Sequence, residues 1–221
     1  VKLCGTLTIS YLPELKVLVV SETGAGDIML DALPALKDLH LGFIQPASFN
    51  FLRAMPNLER LQLDSTGLND VKVLAGSPLL REIDLSYNHI SDLNPLGALQ
   101  NLETVGLYHN NIADGAPLAS LTRLTQLDLG VNHIADISPL QTLSELKVLK
   151  LEANRLTDIS VLQKLAKLTD LDLSENLVSD ISMLKNLPEL VRLDLEDNLI
   201  RDLSPLKESL GRFANLALKG N

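Results

Sequence analysis

The sequence predicts an α/β solenoid: a parallel β-sheet stacked along one axis, one short strand per repeat, with short 3₁₀ turns returning the chain on the far side. Three observations carry this. Asparagine recurs at 88, 110, 132, 154, 176 and 198 at a constant step of 22 residues. Aspartate keeps the same step at 70, 92, 114, 136, 158, 180 and 202. The unit itself reads LxxLxLxxNxhxDh, with h aliphatic, as in the run from Leu168 through Leu171, Leu173, Asn176, Val178 and Asp180 to Ile181. A period this strict marks stacked supersecondary units, none of which buries its apolar face alone.

Taken in order, the units open at Leu15, Leu36, Leu58, Leu80, Leu102, Leu124, Leu146, Leu168 and Leu190, then Phe213, with steps of 21, seven of 22, and 23. Residues 1–14 fit the second half of a preceding unit, since Leu3, Thr6, Ile9 and Leu12 keep a three-residue spacing. Val1 and Asn221 then fall at the same phase. The expected organisation is one domain over 1–221 of about ten repeats, cut from a longer polypeptide. Residues 1–66 are expected to be less regular, because Thr23, Ile44 and Thr66 occupy the asparagine column. The segment 42–51, with Phe43, Phe49 and Phe51, replaces the usual return limb with a bulkier one, and Gly115-Ala116-Pro117 interrupts the limb after Asp114.

Each part of the unit has a physical task. The xLxLx piece alternates apolar and polar residues, so it is a strand that turns its leucines to one side. The asparagine follows where the chain leaves the sheet, and its amide can pair backbone groups of adjoining turns that would otherwise be buried unsatisfied. Asn88, Asn110, Asn132, Asn154, Asn176 and Asn198 therefore read as a structural ladder. The limb D-h-x-P-L-x-x-L, as at Asp136-Ile137-Ser138-Pro139-Leu140, carries a Ser or Asn before Pro, a helix-start signal in which the side chain caps and proline presets φ. It is too short for an α-helix, so a 3₁₀ turn is expected. Turn and cap bonding accounts for the aspartate column.

Composition narrows the function. Apolar residues make up 46% and aromatics only 3%, with no Trp, so the core must be built from Leu, Ile and Val. A net charge of −9 argues against a nucleic-acid ligand and favours a partner with a basic surface. Cys4 is the single cysteine, so no intrachain disulfide is expected. No apolar run reaches the roughly 18 residues of a membrane span, so membrane insertion is not expected. His40, His89, His109 and His133 lack a nucleophile or a metal-spaced partner, and nothing near Cys4 would activate its thiol. Neither a cofactor, a metal nor a catalytic activity is expected.

These residues resemble the 22-residue class of leucine-rich repeats, and the D-I-x-P-L limb is most similar to that of bacterial internalins. The resemblance covers nearly the whole chain. It implies a curved, right-handed solenoid with protein recognition on the concave, strand-lined face. The same repeat class is also similar to that of a eukaryotic regulatory subunit of a Ser/Thr protein phosphatase. Two readings follow: an internalin-like recognition domain of a bacterial surface or secreted protein, and an intracellular scaffold or regulatory domain targeting an attached enzyme or a phosphatase.

Two features of the concave face are candidates for partner binding. Tyr87, His109 and Val131 share the column just before the asparagine, with Tyr108 beside them, Phe43 further towards the N-terminus, and Gly106 leaving space in the central strand column. Tyr at the centre of a surface patch is characteristic hot-spot chemistry; the competing reading is that these side chains only cover the strand-to-turn edge. The second feature is an acidic stripe, Asp84, Asp128, Asp172 and Asp194, flanked by Asp38, Glu82 and Asp170 and interrupted by Arg60 and Arg192. A basic partner would relieve its repulsion, whereas a solvated face that keeps the protein soluble explains it equally. A Ca²⁺ site at Asp170, Asp172 and Asp194 lacks the loop carbonyls such a site needs. Leu177 and Leu199, in register after ladder asparagines, form a minor apolar pair.

Overall fold

Alternating leucines with polar neighbours give short strands, and the computed structural model, which describes residues 5–21 and 27–221, places one in every repeat. Val1, Leu3, Cys4 and Thr23 lie outside the described residues. In chain order the strands are β1 (Thr6–Ser10), β2 (Val17–Ser21), β3 (Asp27–Asp31), β4 (Asp38–Gly42), β5 (Arg60–Gln62), β6 (Glu82–Asp84), β7 (Thr104–Gly106), β8 (Gln126–Asp128), β9 (Val148–Lys150), β10 (Asp170–Asp172), β11 (Arg192–Asp194) and β12 (Asn215–Ala217). Ten of them, β2 and β4 to β12, form one parallel sheet in sequence order. Asp84 faces Gly106, Gly106 faces Asp128, and Asp128 faces Lys150 on successive rungs. The central leucines turn away from this face into a continuous core: Leu61, Leu149, Leu171 and Leu193 are at most 3% exposed.

On the far side, 3₁₀ turns return the chain at Asn50–Ala54, Val71–Gly76, Asn94–Ala98, Ala116–Ser120, Ser138–Thr142, Ser160–Lys164, Ser182–Asn186 and Ser204–Leu206, with a further turn at Leu210–Arg212. Their capping differs from the sequence expectation. The residue before proline does not cap; it is the first residue of the turn, and the aspartate two positions earlier accepts its N–H, as Asp136 Oδ1 does from Ser138 at 2.8 Å and Asp92 from Asn94 at 2.9 Å. Ser138 Oγ and Asn94 Nδ2 donate to the same carboxylates instead. An Asx turn begun two residues ahead reaches the orphan N–H more directly than the turn's own first side chain can.

The N-terminal limbs depart further. β1 and β3 pair in parallel as a second, two-stranded sheet where later repeats carry 3₁₀ turns. Neither segment contains a proline to preset a turn; TLTIS alternates polar with apolar residues, and DIMLD alternates in burial, with Ile28 and Leu30 pointing into the core and Met29 outward. The bulkier limb still makes a 3₁₀ turn at Asn50–Ala54, with Phe49 and Phe51 half-buried against the core, ring centres 6.3 Å apart.

Each ladder asparagine closes backbone groups of two rungs. Asn132 Oδ1 accepts from Ile112 N–H at 2.9 Å, while its Nδ2 donates to Leu107 and Leu129 carbonyls at 3.0 and 3.1 Å. Asn88, Asn110, Asn154, Asn176 and Asn198 repeat the pattern, and Asn221 continues it with Ile200 and Leu195. Buried Thr66 ends the series: its hydroxyl donates to Leu63 O, and its N–H reaches Asn88 Oδ1. Ile44, one repeat earlier, is fully buried and apolar.

Candidate functional site

The concave face is shaped by a backbone device that the repeat hides. Phe43, Ser65, Tyr87, His109, Val131, Ala153, Glu175 and Asp197 all have φ between 50° and 57°. The chain turns out of the sheet through a left-handed residue on each of these rungs, and its N–H reaches the next rung's carbonyl, as Tyr87 does to Tyr108 at 2.8 Å and His109 to Gly130 at 2.9 Å. Non-glycine residues pay about 1–2 kcal/mol for this conformation, and a β-branched valine is an outlier there. None of these eight positions holds glycine.

This geometry gathers the aromatics. The Tyr87 ring meets Tyr108 edge-on and stacks on His109, in both cases with centres 5.2 Å apart, and Tyr108 and His109 lie 6.3 Å apart. Tyr87 is 53% exposed and Phe43 62%. Phe43, Tyr87 and Tyr108 line a hollow of about 580 Å³ together with Asp84, Asp128 and Glu152. Val131 is half-buried and lies outside that lining, so it flanks the aromatic group rather than joining it. A second trough of about 470 Å³ runs along the strands, floored by residues from Val19 to Lys150. Burial raises the Tyr108 hydroxyl pKa, with Tyr87, Glu152 and Asp128 adding to it.

The acidic stripe is partly committed to the fold. Asp84, Asp128, Asp172 and Asp194 each accept the N–H two residues on, from Ser86, Gly130, Ser174 and Glu196 at 2.9 to 3.1 Å. One oxygen of each therefore fixes the exit from its strand. Asp128 also faces Lys150 at 3.4 Å. The two arginines that interrupt the flanking column pair along it, Arg60 with Asp38 at 2.5 Å and Arg192 with Asp170, so only part of the stripe's charge is free. Asp172 and Asp194 are direct neighbours across β10 and β11. Asp170 is held by Thr169 and Arg192, and its carboxyl sits below the usual range although burial opposes this. Among the described residues no three His, Cys, Asp or Glu side chains converge as metal ligands would. His89 and His133 are exposed at the turn edge, and Leu177 and Leu199 are 49% and 56% exposed.

The structure adds a residue that repeat logic passes over. Glu152 stands in the column Ser86, Tyr108, Gly130, Glu152, Ser174, Glu196. Its carboxyl fills the niche left by Gly130, where a Cβ would collide with it. Its Oε2 is buried without a hydrogen-bond partner. Burial, opposed by its own backbone N–H and reinforced by Asp128 and Asp172, pushes its pKa up to about 7. The one signal available beforehand was a glycine 22 residues upstream in a column of polar side chains.

With this geometry in place, comparison with known proteins identifies the class. Leucine-rich-repeat family models match residues 79–99, 100–142, 122–164 and 144–200. The structure of an internalin (inlF) from Listeria monocytogenes superposes with a TM-score of 0.83 at 26% identity, covering 92% of this chain and 67% of that one. Internalin C2 (inlC2) of the same species gives a TM-score of 0.73 at 35% identity, covering 76% and 74%. A Leptospira interrogans leucine-rich-repeat protein gives 0.69 at 25% identity, over 92% of this chain and 49% of that one. A comparison with curated protein sequences finds no match. The chain belongs to the leucine-rich-repeat proteins, and within them to the internalin-like group. Its solenoid is a scaffold for protein–protein interaction.

Proposed function

We propose that this domain is an internalin-like, non-catalytic recognition module that binds a partner protein on its concave face. The observation that carries the reading is the packed group of exposed Tyr87 and His109 with half-buried Tyr108, beside Asp84 and Asp128 in a chain with only seven aromatic residues. Amphipathic rings held rigid by one another lose little entropy on binding. Asp172 and Asp194 extend the acidic surface towards β11, and Val131 borders it. Together they favour a partner with a basic patch, drawn in by long-range attraction.

The test is affinity capture with this domain as bait, at low and physiological salt, alongside Tyr108→Ala combined with Asp128→Asn. The asparagine retains an acceptor for Gly130 N–H, so the melting temperature should change little. The double variant should lose a partner that the parent holds, by a factor of about 30 or more in affinity (about 2 kcal/mol for a hot-spot pair), and added salt should weaken the parent complex. Undiminished affinity in the folded variant would move the site elsewhere.

A further inference from the structure

The aromatic hollow contains a carboxylate whose hydrogen bonds are incomplete, as is also true of Asp38 further towards the N-terminus. Glu152 follows β9, its carboxyl lies over Gly130, and a Cβ placed on Gly130 would come within 2.7 Å of Oε2. That oxygen is buried and unpartnered, in a cluster whose other carboxylates spend one oxygen each on the backbone. Asp128 from β8, Asp172 from β10 and Tyr108 after β7 bear on it, and Lys150 on its own strand leans to Asp128. The hollow has Phe43, Tyr87 and Tyr108 as walls and Asp64, Asp84, Asp128 and Glu152 as acceptors, with the Lys150 ammonium also in its lining.

We infer that this hollow is the docking slot for one arginine side chain of the partner protein, its guanidinium lying against Tyr108 and donating to the Glu152 carboxyl and, in place of Lys150, to Asp128. The inference rests on the concave-face reading above and names the residue type that reading requires. Arginine fits better than a metal ion. A hard cation needs several oxygens closing to about 2.3–2.6 Å, and no such convergence exists among the described residues. A guanidinium instead uses flat aromatic walls and splayed acceptors together. It fits better than an apolar anchor because an apolar group would cover the carboxylates that line the hollow without pairing them. Because its charge also favours the ionised form of Glu152, docking should release a proton near neutral pH, and by linkage the arginine should bind more tightly as pH rises through the Glu152 midpoint.

The experiment is a ¹³C NMR titration of the glutamate carboxyl carbons in the folded domain, with Glu152→Gln to assign the signal. The probe is N-acetyl-Gly-Arg-Gly amide, and the same peptide with citrulline, which is isosteric but uncharged, is the control. The arginine peptide should shift the Glu152 and Tyr108 signals, lower the Glu152 midpoint, and bind about tenfold more tightly on the basic side of that midpoint than on the acid side. Citrulline should do none of this, and Glu152→Gln should abolish the pH dependence while leaving the fold intact. Equal shifts from citrulline, or an arginine response that ignores Glu152→Gln, would overturn the slot. If the peptide misses the slot while Tyr108→Ala with Asp128→Asn still abolishes partner capture, the slot fails and the concave reading stands. If the peptide fills the slot but that double variant captures partner normally, the concave reading fails and takes the slot's role in partner binding with it.

Discussion

At the scale of single residues, the concave face combines local strain with incomplete charge pairing. Val131 holds φ at 51°, where a β-branched side chain is least at ease. Val131→Gly should raise stability by about 1 kcal/mol, since glycine adopts this conformation freely; chemical denaturation reads it directly. Glu152 makes the opposite kind of statement. Its carboxyl is raised from 4.5 to about 7 in the folded protein, so between those values the native state keeps a proton that the unfolded chain has lost. Its contribution is present below the unfolded value and is lost as pH rises through the folded one. The melting temperature of the parent should therefore decline over this window relative to Glu152→Gln. Asp158 and Asp202 act in the other sense at lower pH, because Ser160 and Ser204 hold their carboxyls below the usual range, and the paired comparison leaves their contribution in common. The leucine and asparagine columns were legible in the sequence because they recur. The Glu152 environment was not, since it depends on what Gly130 lacks one rung away.

Among the elements, the ladder and the strand exits fix the repeat more firmly than the return limbs do. Asn176 is buried and serves Leu156 N–H and the carbonyls of Leu151, Leu173 and Ser174 at 2.9 to 3.1 Å. Asn176→Leu removes the side-chain partner of Leu156 N–H and of the Leu151 and Leu173 carbonyls, while Ser174 O keeps Ala153 N–H, and should cost at least about 2 kcal/mol. Because Asn176 lies well away from the aromatic group, the loss should show in the melt and leave partner affinity at low temperature unchanged. Short strands and 3₁₀ turns were readable from the leucine spacing and from proline. The extended limbs β1 and β3 were not, because a three-residue apolar spacing fits a tight turn and a pleated strand alike until a neighbouring limb supplies the pairing. The capping role, too, was read two positions late: aspartate and serine both belong to turn chemistry, and only the hydrogen-bond geometry tells which of them faces the open N–H.

For the whole molecule, repeat-to-repeat contact sets both stability and surface field. Ion pairs run along the axis, Lys37 to Glu59, Arg81 to Glu103 and Lys167 to Glu145, each joining residues one repeat apart and exposed enough to add little alone. Stability then accumulates as nearest-neighbour interfaces. Deleting residues 166–187, one full unit of 22 that joins Leu165 to Pro188, should leave a folded solenoid with unchanged strand signature in circular dichroism, a lower melting temperature and an intact aromatic group. Loss of folded structure would mean that this unit does more than stack. How much of the concave surface was legible follows the same division. The columns and their rung order came from the period, whereas the Tyr87–Tyr108–His109 packing depends on left-handed φ values that no side-chain pattern announces.

The hydrogen-bonded register also bears on how such a chain can vary in length. Val17 pairs with Asp38, 21 residues on, and Arg192 with Asn215, 23 residues on, yet the sheet passes through both steps without a shift. The strand-to-asparagine half is locked on each side by the rungs above and below. Gains and losses must therefore be taken up on the convex limb, where strands, single turns and the doubled turn of residues 204–212 all close the same loop. One side of the solenoid keeps time while the other is free to edit. A lineage could lengthen or shorten its convex surface residue by residue and still present partners with the same ordered columns.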